Sequence, residues 1–141
     1  MKTFPVLLAV TLSSVSCGRT TEPVSHGAEL QVVEAGDTIT LQYGDSARLG
    51  TGGPSITFSA VEADSRCPVN VTCVWAGDAH VRLDGSRGAG HEPIELHTGV
   101  EPVEAVFAGY RIRLLDVAPP RREGNDVRPA DYSVRLAISR G

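Results

Sequence analysis

Along most of the chain apolar residues alternate with polar ones, as in Ile39/Leu41/Tyr43, Ile56/Phe58/Ala60, Val103/Ala105/Phe107 and Tyr132/Val134/Leu136/Ile138. A period of two places alternate side chains on one face, so each run predicts a half-buried strand. The runs are short, rich in Val, Ile, Thr and aromatics. They are separated by turn clusters at residues 35–37, 44–45, 50–54, 84–90, 108–109 and 118–131. No window of a dozen residues carries a helical stripe. About eight short strands at this spacing predict an all-β fold, a single antiparallel β-sandwich or a partly closed barrel.

The first residues break this pattern. Residues 1–16 carry one positive charge, Lys2, and a nine-residue apolar run at 4–12, followed by small or β-branched residues up to Cys17. This is the pattern of an export signal peptide. The run falls well short of the ~20 residues that span a bilayer, and Pro5 interrupts it. Ser14-Val15-Ser16-Cys17 resembles the lipobox of bacterial lipoproteins, which implies a lipid on Cys17 and an anchor in the membrane. Ser14-x-Ser16 also fits ordinary signal cleavage, and both routes cut before Cys17. Residues 17–28 are polar and rich in Gly, Pro, Ser and Thr, as in a lipoprotein tether, and leave 29–141 as the sandwich domain.

Three cysteines in an exported chain leave one unpaired. Lipidation of Cys17 would use the odd one, and Cys67 and Cys73 would form a disulfide. Closing that seven-residue loop stabilises the fold by about 2.4 kcal/mol on the chain-entropy estimate. A domain of 113 residues buries enough surface to fold without it. Loss of Lys2 with the leader leaves twelve arginines against 17 acidic residues, so the net charge falls from −4 to −5. This argues against a nucleic-acid partner.

Residues 64–79 read DSRCPVNVTCVWAGDA. This stretch resembles the DSRCPxxVxCVWAGxA motif of a family of small, uncharacterised bacterial exported proteins and lipoproteins. The likeness extends to a Tyr-x-Ile-x-Leu-x-x-Val-x-Pro strand at 110–119 and a Tyr-x-Val-x-Leu strand at 132–136. It implies a compartment and a fold but no mechanism. Asp64, Arg66, Pro68, Trp75 and Gly77 are its structural residues. Taking Cys73 as the start of a strand, parity puts Cys73, Trp75, Ala79, Val81 and Leu83 on the core face, and Val74, Asp78, His80, Arg82 and Asp84 outside. Arg66 is either a partner of Asp64 or Asp78 in a buried ion pair that anchors the loop, or an exposed turn charge.

Candidate chemistry is sparse. His91, Glu95 and His97 share parity, and His80 on a neighbouring strand could join them as a metal site. The alternative is a solvated strand face opposite Ile94 and Leu96. His91-Glu92-Pro93-Ile94-Glu95 misses the H-E-x-x-H zinc helix, because Pro93 breaks a helix and residue 95 is Glu. Residues 50–54 (GTGGP) lack the lysine of a phosphate cradle and lead into a strand, so they predict a turn. No catalytic residue and no cofactor is singled out. The expectation is a non-catalytic cell-envelope lipoprotein, facing the outer membrane or periplasm, that presents loops 50–54, 84–90 and 118–131 to an envelope or extracellular protein partner. A periplasmic metal binder is the alternative, and a loop-based peptidase inhibitor is a weaker one.

Overall fold

The alternating runs become strands in two facing sheets. The computed structural model describes residues 30–141. The expected signal peptide at 1–16, the expected tether at 17–28 and the expected lipidation site Cys17 lie outside the described residues. Nine strands form among the described residues: β1 Gln31–Val33, β2 Thr38–Gln42, β3 Ser46–Leu49, β4 Ser55–Asp64, β5 Ala79–Arg87, β6 Gly90–His97, β7 Glu104–Phe107, β8 Tyr110–Ala118 and β9 Ser133–Arg140. One sheet has the order β1-β3-β4-β5-β6 and the other β2-β9-β8-β7. The architecture is therefore all-β, a two-sheet sandwich that does not close into a barrel. One pairing departs from the antiparallel expectation: β1 runs parallel to β3, with Gln31 opposite Ala47 and Val33 opposite Leu49. The chain reaches this arrangement because β2 crosses to the other sheet between them.

The core lies between the inner faces, and the buried residues are the period-two positions: Ile39 and Leu41, Ile56 and Phe58, Val81 and Leu83, Ile94 and Leu96, and Val134, Leu136 and Ile138. Where spacing departs from two, a bulge restores the face. In β8 the register shifts between Leu114 and Asp116. The shift leaves both Leu115 and Asp116 outward and brings Val117 back inside with Ile112 and Leu114. This bulge is the physical content of the Leu-x-x-Val spacing.

The turn expected at 84–90 is shorter than its composition suggests. Strand β5 continues to Arg87, and Gly85 is an inward-facing core position. A Cβ there would lie 2.7 Å from the Phe107 ring, so the ring fills the space that a side chain would take. The strands end at two poles. Loop 50–54 and the Arg87–Gly90 turn meet Ala108 at one pole, whereas residues 65–78 and 119–131 lie together at the other. The three loops expected to present one surface are thus divided between the two ends.

Candidate functional site

Residues 65–78 connect β4 to β5 and project beyond both strands as an extension of their ladder. Ser65 N donates to Asp78 O at 2.7 Å, and Cys67 N donates to Ala76 O at 2.7 Å. The Cys67–Cys73 disulfide closes the tip, with Cα atoms 5.9 Å apart. At its base Gly77 has φ of +73°, and a Cβ there would overlap the Ser65 carbonyl oxygen. Only glycine combines this left-handed conformation with so close a backbone approach.

Gly77 also explains why Trp75 is not in the core. The sequence reading takes Cys73 as a strand start and carries its parity on to Leu83. The strand begins instead at Ala79, and the left-handed turn at Gly77 interrupts the alternation. Ala79, Val81 and Leu83 are fully buried as expected, but Cys73 is exposed and Trp75 is 82% exposed, beside Val74 at 90%. Trp75 and Val100 flank a shallow groove of about 380 Å³ floored by Gly77, Asp78 and Gly99. Val69 and Val71 are exposed on the same loop.

The polar residues of this region hold the loop in place. The Arg66 guanidinium grips the Asp64 carboxylate through Nε and Nη2, at 2.9 and 2.7 Å. It also donates to the carbonyls of Val117 and, at 3.0 Å, Pro119. The Tyr132 hydroxyl donates to Asp64 Oδ2 at 3.0 Å. The two charged side chains are 16% and 6% exposed, which decides between the two readings of Arg66 in favour of the anchoring pair. Burial raises the Asp64 pKa, but the Arg66 hydrogen bonds and charge, with the Tyr132 hydroxyl, outweigh it and hold the carboxyl below its ordinary value. Burial first, and then the bond to Asp64, push the Tyr132 phenol up. Two further bonds tie the loop to residues 119–131: Val69 N to Arg121 O at 2.9 Å, and Glu123 N to Asn70 Oδ1 at 2.8 Å. Pro68 accepts from Val71 N at the loop tip.

Asp78 organises the other side. It accepts from His97 Nδ1 at 2.6 Å, Thr98 N at 2.9 Å and Gly99 N at 2.8 Å, pinning the turn after β6 against the loop base. Burial raises its pKa, and the bonds from His97, Gly99 and Thr98 bring it below the usual carboxylate range. The His97 ring stacks on His80 at 4.5 Å between centroids and 6° between planes. The stack follows from register, since His80 and His97 are paired across β5 and β6.

The structure therefore brings together three of the four metal candidates, with His80 Nε2 3.7 Å from Glu95 Oε2. It leaves His91 opposite Ser86 at the far end of β6. Pro93 does not bend the strand, because β6 is the sheet edge and a proline there need not donate a ladder bond. Among the described residues no group of three or more His, Cys, Asp or Glu side chains is arranged to hold a metal ion. The sequence reading missed the exposed apolar tip, Tyr132 as the third member of the Asp64 network, and the His80–His97 stack. Tyr132 stands at the head of the closing strand motif, which was the available signal. No family model, no curated protein and no solved structure matches this chain.

Proposed function

We propose that the chain is a non-catalytic cell-envelope lipoprotein: an exported β-sandwich, held at a membrane by a lipid on Cys17, that displays residues 65–78 as its binding element. The proposal keeps the likeness to bacterial exported lipoproteins carried by the DSRCP and CVWAG residues. One observation supports it most. Val74 and Trp75 stand almost fully in solvent on a loop fixed by a disulfide, a two-pronged ion pair and a left-handed glycine. Exposed large apolar side chains are ordinary when scattered, but a rigid loop that presents several of them together is the anatomy of an interaction site. The charged groups beside it, Asp64, Arg66 and Asp78, are occupied in holding that shape.

Two measurements test the reading. Intact mass and membrane fractionation of the wild-type protein should show a diacylglyceryl-modified Cys17 and membrane association, both lost in Cys17→Ala. An unmodified N-terminal cysteine overturns the lipoprotein reading. A Val74→Ser/Trp75→Ser chain should melt within about 0.5 kcal/mol of wild type, as surface substitutions do. A much larger loss would mean that the two side chains serve the fold and are not a free binding element.

A further inference from the structure

We propose that the free edge of β2 is a docking strand for an extended segment of a partner protein, uncharged where it meets Thr38 and Thr40 and basic at its ends. The inference goes beyond the loop at residues 65–78 and does not depend on a lipid at Cys17. β2 is the outer strand of its sheet and pairs with β9 alone. Ile138 N donates to Asp37 O at 2.9 Å, and Tyr43 N donates to Tyr132 O at 3.1 Å. Bonded positions alternate along an antiparallel ladder, so Ile39 and Leu41 between them also bond to β9. The N–H and C=O groups of Thr38 and Thr40 therefore point away from the sheet, and both residues are exposed. Neither makes another hydrogen bond among the described residues. At Gln42 the edge closes, because Gln42 N donates to Asp45 Oδ2 at 3.0 Å and Gln42 O accepts from Asp45 N at 2.9 Å. Two donors and two acceptors remain, the set that one added strand satisfies.

An open edge invites unwanted pairing, and the other edges of the sandwich are blunted. β1 has three residues. β7 has four, with Glu104 engaged by Arg111. β6 carries Pro93, which supplies no donor, between Glu92 and Glu95. β2 reads TITLQ, five residues without a charge, a proline or a break in register. Ile39 and Leu41 are buried, so an incoming strand meets main chain flanked by two threonines.

Charge selects the occupant. Glu34 and Asp37 precede the strand and Asp45 follows it, and none of the three is in an ion pair among the described residues. Asp37 and Asp45 each accept a backbone N–H through Oδ2, from Glu34 at 2.8 Å and Gln42 at 3.0 Å, which leaves Oδ1 of each for a cation. Arg135, on the neighbouring strand, lies opposite Thr40 and has Asp116 opposite it on β8. A lysine or arginine at each end of a neutral segment therefore answers the carboxylates that flank the edge. A second copy of this chain fits less well. Pairing that satisfies all four groups sets Thr38 against Thr40 of the other copy, and this register carries Glu34 of each copy towards residues 44 and 45 of the other, acid on acid at both ends. The chain's formal net charge of −4 adds to that repulsion.

Four main-chain bonds alone correspond to a dissociation constant on the order of 1 mM, so a peptide titration followed by amide NMR suits the contact. The probe is a blocked peptide of alternating valine and threonine with a lysine at each end, added to the isotope-labelled Cys17→Ala chain. The Thr38 and Thr40 amides should shift and exchange more slowly with solvent. Thr40→Pro removes a free N–H and leaves the β9 ladder intact, so it should remain folded and bind about tenfold more weakly. Should that variant not fold, the peptide N-methylated at the residues facing the edge makes the same test on the unaltered strand. Asp37→Asn/Asp45→Asn keeps both turn caps and should weaken binding by a few fold, as should added salt. Unmoved Thr38 and Thr40 amides, full affinity for the N-methylated peptide, or equal affinity for a glutamate-ended peptide overturns the proposal. So does either of two findings on the free chain: a concentration-dependent dimer that protects Thr38 and Thr40, or protection of these amides in the monomer that is lost when residues 18–29 are removed.

Discussion

Replacement of Arg66 by methionine should be among the most damaging single changes in the protein, although no residue of its loop lies in the core. The substitution keeps the aliphatic stem and removes the guanidinium. Asp64, only 6% exposed, would keep a buried charge answered by the Tyr132 hydroxyl at 3.0 Å and the backbone N–H of residue 66 at 3.2 Å. The carbonyls of Val117 and Pro119 would lose their donors. Removing one partner of a buried pair costs about 3–5 kcal/mol. The 16% exposure of Arg66 admits some water, which places the expectation near the lower end, about 3 kcal/mol. A domain of this size unfolds with an entropy of about 235 cal/mol/K at ~2.1 cal/mol/K per residue, so the melting temperature should fall by roughly 13 °C. Thermal and urea melts followed by circular dichroism, without reductant, would measure it. An exposed turn charge would cost under about 1 kcal/mol, or roughly 4 °C, and a loss that small would refute the anchoring role. A cycle adding Asp64→Asn and the double variant isolates the pair, and the double should be less destabilised than the sum of the singles. Acid provides an independent check. Because the folded Asp64 carboxyl lies below its ordinary value, its contribution is present above the unfolded pKa of ~3.9 and is lost as pH falls through the lowered folded value. Asp78 contributes with the same sign. The Arg66→Met chain should therefore show a weaker acid dependence than wild type, retaining the part due to Asp78.

Three further outcomes are expected. A Cys67→Ser/Cys73→Ser chain should lose about 2.4 kcal/mol, close to 10 °C, yet still melt cooperatively, because the loop is also held by Arg66 and Asp78; free thiols in the denatured, unreduced wild type would contradict the bond. Gly85→Ala should cost about 1–3 kcal/mol by forcing the Phe107 ring out of place, whereas Gly88→Ala, where nothing lies within 4 Å of a new Cβ, should suffer only from its φ of +60°; a Gly85→Ala chain that melts like wild type would contradict the packing of Phe107 over β5. Calorimetric titration with zinc should show no saturable low-micromolar site, since His97 Nδ1 is bonded to Asp78 and His91 lies six residues, or roughly 20 Å, along an unbent strand from His97; stoichiometric binding lost in His80→Ala would restore the metal reading.

What the sequence makes legible here is what period two controls, and what it hides is where the period stops. Ile94 and Leu96, or Val134 to Ile138, announce their face because uninterrupted alternation admits one register. The same rule extended backward from Ala79 misplaces Trp75, since a single left-handed residue, Gly77, resets the direction of the chain and carries no parity of its own. Gly85 misleads in the opposite sense. Beside Asp84 and Ser86 its composition resembles a turn, and only the Phe107 ring, contributed by the facing sheet, makes it a strand position. The Asp64–Arg66–Tyr132 network was half visible, because two members are neighbours in sequence and the third is 68 residues from Asp64. Pairing of β1 with β3 was not visible, since parallel order depends on the crossing of β2 to the other sheet. The candidate site falls where local rules lose their reach, on a loop whose charged residues, Arg66 and Asp78, look inward to the fold and whose large apolar residues look outward. That inversion of the usual burial order is stable only because Arg66, the disulfide and Asp78 hold the backbone independently of the side chains at the tip. Those side chains are thereby free to be chosen for what they meet outside the protein.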